Sequence, residues 1–122
     1  MVDAANVIGS RPTGWWRDRA GAAQQFVRQV RAATRYGRIP PPVVVVLEGA
    51  ACAGAPEADV DGARVVHAAN NGDDAVVAQV STSTTGVVVV TADRRLADRV
   101  RELGAKTVGP KWLNDRLRPD GT

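Results

Sequence analysis

The chain has 122 residues and a mass of 12.8 kDa, and 44% of its residues are hydrophobic. A chain of this length can form one hydrophobic core but not two. Its formal net charge of +3 favours an anionic partner without requiring one. No segment approaches the roughly 20 apolar residues that span a bilayer, and no signal-peptide pattern opens the chain, so we expect a cytoplasmic protein. The single cysteine, Cys52, excludes an internal disulfide and is expected to be a passive small residue.

The first predicted strand is short, because only two residues precede Asp3, whereas strands usually have about five. Either the strand is unusually short or the true start lies upstream. A helix is predicted from about residue 16 to 36, capped by Thr13 and ended by Gly37. A stripe of arginines on one side of it is expected to be a solvated face, with a phosphate-binding track as the alternative: Arg28, Arg31, Arg35 and Arg38.

Two apolar runs, Val43–Leu47 and residues 87–90, are continuous and rich in β-branched residues. Such runs are typical of strands that are buried on both faces of a parallel sheet. Two further short strands are predicted at residues 64–67 and 105–108, and residues 49–62 are expected to form a loop.

Three more helices follow from the pattern. One begins at Asp73 or Asp74, one covers residues 94–103 with Leu103 among its inward positions, and a short one begins after Pro110. The alternation of strands and helices predicts an α/β fold, with about five mostly parallel strands between two helical layers.

Acidic residues follow the predicted strands: Asp3, Glu48, the pair Asp73 and Asp74, and Asp93. In an open parallel sheet, ligands bind in the crevice outside the carboxyl ends of the strands, so these acids can meet around one ligand. Carboxylates that meet there repel one another without a cation, and hard cations such as Mg²⁺ or Mn²⁺ take oxygen ligands. The reaction class that follows is metal-assisted phosphodiester hydrolysis.

Asn6 follows Asp3 by three residues, so a carboxylate and an amide leave the same strand end. Asp3 can bind the cation while Asn6 orients a metal-bound water or a phosphate oxygen. The alternative is an Asx turn, in which Asp3 or Asn6 caps a nearby backbone N–H.

The other acids have structural alternatives as well. Acids at a helix start are favoured by capping and by the helix dipole, so one of Asp73 and Asp74 is expected to cap while the other faces the crevice. Thr91 is a natural N-cap, which places Asp93 in the first turn of its helix. A capping role and a role in a site can coexist at these positions.

Four segments, VDAANVIGS, VVVVLEG, NGDDAVVAQV and VVVVTADRRLADRV, resemble the PIN-like superfamily, specifically its NYN and YacP-like branch. The resemblance extends from Val2 to about Leu117, and its most specific parts are the Asp-x-x-Asn opening and the Thr-x-Asp-Arg element. It implies a single Rossmann-like PIN domain over residues 1–118, followed by a flexible tail at residues 119–122. It also implies a ribonuclease that depends on Mg²⁺ or Mn²⁺ and acts on single-stranded RNA or on flexible sites of structured RNA.

The resemblance implies metal ligands and supporting residues: Asp3, Asp73 and Asp93 as ligands, Asp74 as a further catalytic candidate, and Asn6 and Thr91 orienting water or phosphate. The family usually has an Asp at the end of the second strand, where this chain has Glu48. The longer Glu48 side chain either supports the site or points elsewhere. The loop of residues 10–17 is a second departure, to which the family transfers no role.

Two tryptophans lie just after the first strand. We expect Trp15 to stack on a base and Trp16 to anchor the first long helix against the sheet. Arg11, Arg17 and Arg94 are candidates for phosphate contacts, with the alternative that they are exposed arginines without a specific role.

The preferred hypothesis is a metal-dependent ribonuclease. The alternatives are an RNA-binding PIN-like module with weak or lost catalysis, a metal-dependent nucleoside triphosphate pyrophosphohydrolase, and the toxin of a toxin-antitoxin pair. A homodimer is left open.

Overall fold

A computed structural model describes residues 1–10, 14–83 and 86–118, without the side chain of Trp15. The predicted tail at residues 119–122 lies outside this range. Within it, six strands form one sheet: β1 (Val2–Asp3), β2 (Val43–Leu47), β3 (Asp59–Val60), β4 (Ala63–His67), β5 (Val88–Val90) and β6 (Lys106–Val108). Their order is β3-β4-β2-β1-β5-β6, and every neighbouring pair is parallel except the antiparallel pair β3 and β4.

Helices cover both faces of this sheet: α1 (Ala4–Gly9), α2 (Arg19–Arg35), α3 (Gly72–Thr82), α4 (Arg94–Glu102) and α5 (Pro110–Leu117), with 3-10 helices at Trp15–Arg17 and Gly49–Gly54. The α1, α2 and α5 helices pack on one face, and α3 and α4 pack on the other. The predicted α/β architecture with a mostly parallel sheet between two helical layers is therefore confirmed. In the described part of the chain, no helix is long and apolar enough to cross a membrane.

The apolar run of β2 supplies both cores. Val45 and Leu47 are buried in the core under α1, α2 and α5, whereas Val46 is buried in the core under α3 and α4. Successive side chains of a strand point to opposite faces, so a central strand between two helical layers needs apolar residues at every position. This is why the sequence shows a continuous run there.

The start of α2 differs from the prediction. The helix begins at Arg19, and its cap is Asp18, whose Oδ1 accepts a hydrogen bond from Gly21 N at 2.8 Å. Residue 16, the expected start, belongs to the preceding 3-10 helix, and Thr13, the expected cap, lies outside the described residues. An aspartate at this position satisfies backbone N–H groups that have no partner within the helix.

Two other expectations are wrong, and α1 is not among the predicted helices. Residues 49–62 are not a plain loop, since they contain the 3-10 helix Gly49–Gly54 and β3. The α1 helix has only six residues, too few to show a helical period in the sequence. Leu103 does not face inward, because α4 ends at Glu102 and Leu103 lies in the exposed C-cap, before Gly104 with a φ of +91°.

The predicted arginine stripe on α2 is not a uniform solvated face. Arg31 Nη2 donates a hydrogen bond to Ala58 O at 3.2 Å, which ties α2 to the segment before β3. Arg38 Nε donates to Arg116 O at 3.1 Å and so joins the end of α2 to α5. Two of the four arginines therefore bind the backbone of neighbouring segments and are unsuited to a phosphate track.

The 3-10 helix Gly49–Gly54 packs closely on α2 through Gly54. A Cβ at this position would collide with Ala20 O and lie 2.9 Å from Gln24 N, both of them backbone atoms that cannot move aside. We therefore expect Gly54→Ala to lower the free energy of unfolding by roughly 1 to 3 kcal/mol, as overpacking does. Gly86→Ala is the control, because Gly86 lies outside the helices and strands and a Cβ there meets nothing within 4 Å. Urea unfolding curves measure both variants, and equal stability of the two would refute the tight contact.

Candidate functional site

The carboxyl ends of the central strands lie side by side at one edge of the sheet. In the register of the sheet Val2 pairs with both Val45 and Val90, and Asp3 pairs with Val46. Asp3 therefore ends β1 directly between the ends of β2 and β5. Glu48 and Asp93 follow those two strands, so the parallel topology brings the three acids to the same edge.

Asp3 is the most buried acid of this edge, with only 5% of its surface exposed. Burial, and then the negative charge of Asp73, raise the pKa of Asp3 from 3.8 to about 6. Glu48 and Asp93 add smaller effects in the same direction, while the backbone N–H of Asn6 opposes them. The environment of Asp3 thus disfavours the charged form of its carboxyl group.

Asp73 shows the same effect from the start of α3. Burial, followed by the negative charges of Asp93 and Glu48, raises the pKa of Asp73, and Arg99 partly compensates. The structure therefore places Asp3, Asp73, Asp93 and Glu48, from four separate segments, at one edge of the sheet and within range of one another's charge. We call these four residues the carboxylate edge.

The carboxylate edge is not a preformed metal cage. Among residues 1–10, 14–83 and 86–118, no three His, Cys, Asp or Glu side chains approach closely enough to hold a metal ion between them. Mg²⁺ usually keeps several waters and is bound through one or two carboxylates rather than by a cage of protein ligands. The buried Asp3 and the partly buried Asp73 therefore fit a hydrated hard cation better than a fully protein-ligated ion.

Asp93 has a structural role in addition to its place at the edge. Its Oδ1 accepts hydrogen bonds from Arg95 N at 2.9 Å and from Leu96 N at 3.2 Å, and so caps α4. The expectation that Thr91 is the cap is wrong, because Thr91 lies two residues before the cap position. Its buried Oγ1 instead accepts a hydrogen bond from Asp93 N at 3.1 Å and orients the Asp93 backbone. Since both cap bonds use Oδ1, Oδ2 of Asp93 is left for another partner.

Asn6 ties α1 to the segment after β5. Its Oδ1 accepts a hydrogen bond from Ala92 N at 2.7 Å, next to Asp93. The amide oxygen therefore helps to fix the carboxylate edge, and the amide nitrogen is the donor that could orient a phosphate oxygen. Neither expected role of Asn6 anticipated this bond, because it joins residues 86 positions apart.

The cap of α3 is Asn71, which the sequence analysis missed. Its Oδ1 accepts a hydrogen bond from Asp74 N at 2.9 Å, so neither Asp73 nor Asp74 caps this helix. Asp74 is exposed and forms an ion pair with Arg99 at 3.0 Å. The hydrogen bond from Arg99, and then that from Asn71, lower the pKa of Asp74. The expectation that one of the two acids caps α3 while the other faces the crevice is thus half right. Asp73 faces the edge, but Asp74 points to solvent.

Substitution of Asp74 tests this division. We expect Asp74→Asn to leave the melting temperature nearly unchanged, because its carboxylate is paired with Arg99 in an exposed position outside the carboxylate edge. Thermal unfolding of the parent and of the variant measures this. A large change in stability would show that Asp74 belongs to the buried cluster of acids.

Glu48, the departure from the family pattern, holds the start of α3 against β2. Its Oε2 accepts a hydrogen bond from Gly72 N at 2.6 Å. A Cβ on Gly72 would lie 3.2 to 3.4 Å from the Glu48 carboxyl group, so the glycine leaves space for this carboxylate. Glu48 therefore belongs to the edge through both its charge and this bond.

The candidate RNA contacts are only partly within the described residues. Arg11 and the side chain of Trp15 lie outside them. Trp16 is 58% exposed, so the expectation that it anchors the first long helix is wrong. The Arg17 guanidinium lies 6.0 Å from the centre of the Trp16 ring, and both side chains are exposed. Arg94 is exposed in an open groove of about 410 Å³ that begins at Thr91 and Asp93.

Comparison with known protein families, with curated proteins and with solved structures found no match for this chain. The α/β fold with its mostly parallel sheet is consistent with a Rossmann-like arrangement. A hypothesis about function therefore depends on the chemistry of the carboxylate edge and of the surfaces beside it.

Proposed function

We propose that this protein is a PIN-like ribonuclease that depends on Mg²⁺ or Mn²⁺ and hydrolyses phosphodiester bonds of RNA. The observation that carries the proposal is the raised pKa of Asp3, about 6, in a cluster of four acids from separate segments. Carboxylates that are held close together destabilise the folded protein, and such clusters are typical of functional sites. A bound cation would remove the repulsion between these carboxylates.

The roles follow from burial and from hydrogen bonds. Asp3 and Asp73 are the carboxylates that would hold the ion, and Asp93 would contribute through Oδ2, because its Oδ1 caps α4. When bound, such an ion activates water and stabilises the charge that develops on a phosphoryl oxygen. Asn6 and Thr91 fix the segment that carries Asp93.

RNA is the partner that the surroundings of the edge support. Arg94 lies in the groove beside Asp93, and Arg17 lies with the exposed Trp16 just before α2. An exposed ring with a neighbouring arginine suits the stacked bases and the phosphates of a single strand. Cys52 is a free cysteine, which agrees with the cytoplasmic location expected from the sequence.

Asp93→Asn tests the proposal with least damage to the fold. Asparagine caps helices about as well as aspartate, so the variant keeps the cap of α4 and loses only the charge. We expect a loss of Mn²⁺-dependent cleavage of labelled RNA of at least about thirtyfold, or roughly 2 kcal/mol, with an unchanged melting temperature. Chelation with EDTA should abolish the activity of the parent. Undiminished cleavage by Asp93→Asn would remove Asp93 from the site.

A second candidate function is RNA binding with weak or lost catalysis. It is favoured by the use of Asp93 and Glu48 oxygens in backbone hydrogen bonds. In that case RNA would bind with a steep dependence on salt and would remain intact with Mn²⁺. Release of nucleoside monophosphate from triphosphates, without cleavage of RNA, would instead indicate a pyrophosphohydrolase.

A further inference from the structure

A cavity of about 270 Å³ opens beside the carboxylate edge, between α1, the end of β2 and the 3-10 helix Gly49–Gly54. Small side chains, among them Ala5 and Ala51, form its walls, and the buried Ile8 and Leu47 supply apolar surface. Glu48, Asn70 and Arg19 contribute polar groups. The cavity is thus apolar inside, with a few polar groups, which is typical of sites for small organic ligands.

The size of the cavity limits its occupant. Sites for drug-sized ligands measure roughly 300 to 1,000 Å³, so a cavity of about 270 Å³ suits one planar ring system. Enzymes that bind an unstacked base hold it between apolar or aromatic side chains and read its edge through hydrogen bonds. The walls at Ala5 and Ala51 and the polar groups of Glu48 and Asn70 provide these two elements.

A donor such as Arg19 serves the carbonyl oxygens of guanine and of uracil alike, so Glu48 is the group that distinguishes these two bases. Its Oε2 accepts the hydrogen bond from Gly72 N, and a carboxylate can accept several more bonds, but it donates none. Guanine presents a ring N–H and an exocyclic amine side by side, so it offers two donors to a carboxylate. In uracil the ring N–H lies between two carbonyl oxygens, which a carboxylate repels.

The cavity adjoins the carboxylate edge, because Glu48 lines it and its charge also acts on Asp3 and Asp73. We propose that this cavity binds a guanine base of the RNA strand, next to the phosphate that lies at the carboxylate edge. The inference rests on the proposed ribonuclease function and adds a base preference to it. Glu48 is then the residue that determines specificity.

Binding of the four nucleoside monophosphates tests the cavity without catalysis. We expect isothermal titration calorimetry of the full chain in Mg²⁺, which offsets the repulsion between the phosphate and the carboxylate edge, to give a GMP affinity at least tenfold above that of UMP, with the charge of the phosphate equal in both. Equal binding of all four, or no binding of GMP, would overturn the proposal.

Three variants locate the site. Ala51→Leu fills the cavity and should weaken GMP binding at least tenfold, whereas Ala53→Leu, exposed on the same 3-10 helix and outside the lining, should leave it within twofold. Glu48→Gln keeps an oxygen for Gly72 N but loses the charge, so the preference for GMP over UMP should fall below threefold. If Ala51→Leu fails to fold by circular dichroism, Glu48→Gln decides alone, and an intact preference in that variant contradicts the assignment.

Cleavage sites separate the two proposals. If the protein is a nuclease and the cavity reads guanine, sequencing of the RNA ends should show cuts next to guanines, and Glu48→Gln should scatter them. Cuts without a base preference, together with no GMP binding, would refute the guanine site but not the nuclease function. Selective GMP binding without any cleavage in Mn²⁺ would refute the nuclease function but not the guanine site.

Discussion

Asp3→Asn should make the metal-free protein more stable at pH 8, although it removes a group of the proposed site. Asp3 is buried at the junction of β1, β2 and β5, and burial together with Asp73 raises its pKa to about 6. The rise from 3.8 to about 6 corresponds to roughly 3 kcal/mol of cost to the folded state at a pH where the group is ionised. Asparagine has nearly the same shape and carries no charge, so it avoids this cost.

The sign of the pH dependence follows from the same shift. Because the pKa of Asp3 is higher in the folded state than in the unfolded state, the folded protein binds the proton more tightly. Its contribution to stability is full below pH 3.8 and is lost as the pH rises through about 6. The Met1 amino group, whose pKa burial lowers from 8.0 to about 6, acts in the opposite direction over the same range, but it does so equally in the parent and in the variant. Thermal unfolding in EDTA should therefore show that the melting temperature of Asp3→Asn rises relative to that of the parent between pH 5 and pH 8.

The same substitution should also change metal binding and RNA cleavage. Mn²⁺ should raise the melting temperature of the parent at pH 8, because an ion that binds only the folded state stabilises it, and should have little effect on Asp3→Asn. Cleavage of RNA should fall by at least about a thousandfold, near 4 kcal/mol. Asp59→Asn, an exposed acid of β3, is the control for both readouts. A destabilised Asp3→Asn that still cleaves RNA would contradict the proposed site.

The sheet and its acidic edge could be predicted because they follow from strong local signals. The run Val43–Leu47 is apolar at every position, which only a strand covered on both faces requires. Once the central strands are parallel, the residues that follow them must share an edge. The convergence of Asp3, Asp73 and Asp93 therefore depends on topology more than on the details of any loop.

The assignment of the caps could not be predicted because neighbouring residues have nearly equal capping ability. Asn71, Asp73 and Asp74 can all cap α3, and the choice depends on where the chain leaves the extended conformation. Asn71 has extended backbone, with φ −124° and ψ 155°, and α3 starts directly after it. The bond from Gly72 N to Glu48 helps to set that point, and it joins residues 24 positions apart.

Long-range contacts also explain the arginine stripe, whereas the missed strand has a local signal. The β3 strand has two residues and pairs antiparallel with β4. The two strands are joined by Asp61 and Gly62, with φ of +54° and +85°, and an Asp-Gly pair is a strong local signal of a hairpin. Arg31 and Arg38 have the spacing of an exposed stripe, but each donates to a backbone carbonyl of a distant segment. A helical period shows which residues share a face and does not show what that face meets.

Phe26→Ala should give the largest loss of stability. Phe26 is the only phenylalanine, has 0% of its surface exposed, and belongs to the core under α1, α2 and α5. Truncation removes a whole ring from this core and leaves a cavity, which costs roughly 3 to 5 kcal/mol. Domains of this size are stable by about 5 to 15 kcal/mol, so the variant loses a large part of the total.

Tyr36→Ala is the matched control for Phe26→Ala, since Tyr36 is the aromatic residue that caps the same helix and is 68% exposed. Its ring lies 5.6 Å from the Arg35 guanidinium and 5.9 Å from that of Arg38, contacts worth roughly 0.5 to 1 kcal/mol at an exposed site. Urea unfolding with an unchanged slope should thus separate the two variants by more than about 2 kcal/mol. The two positions differ chiefly in burial. Similar losses of stability in both variants would therefore mean that the core does not depend on the Phe26 ring.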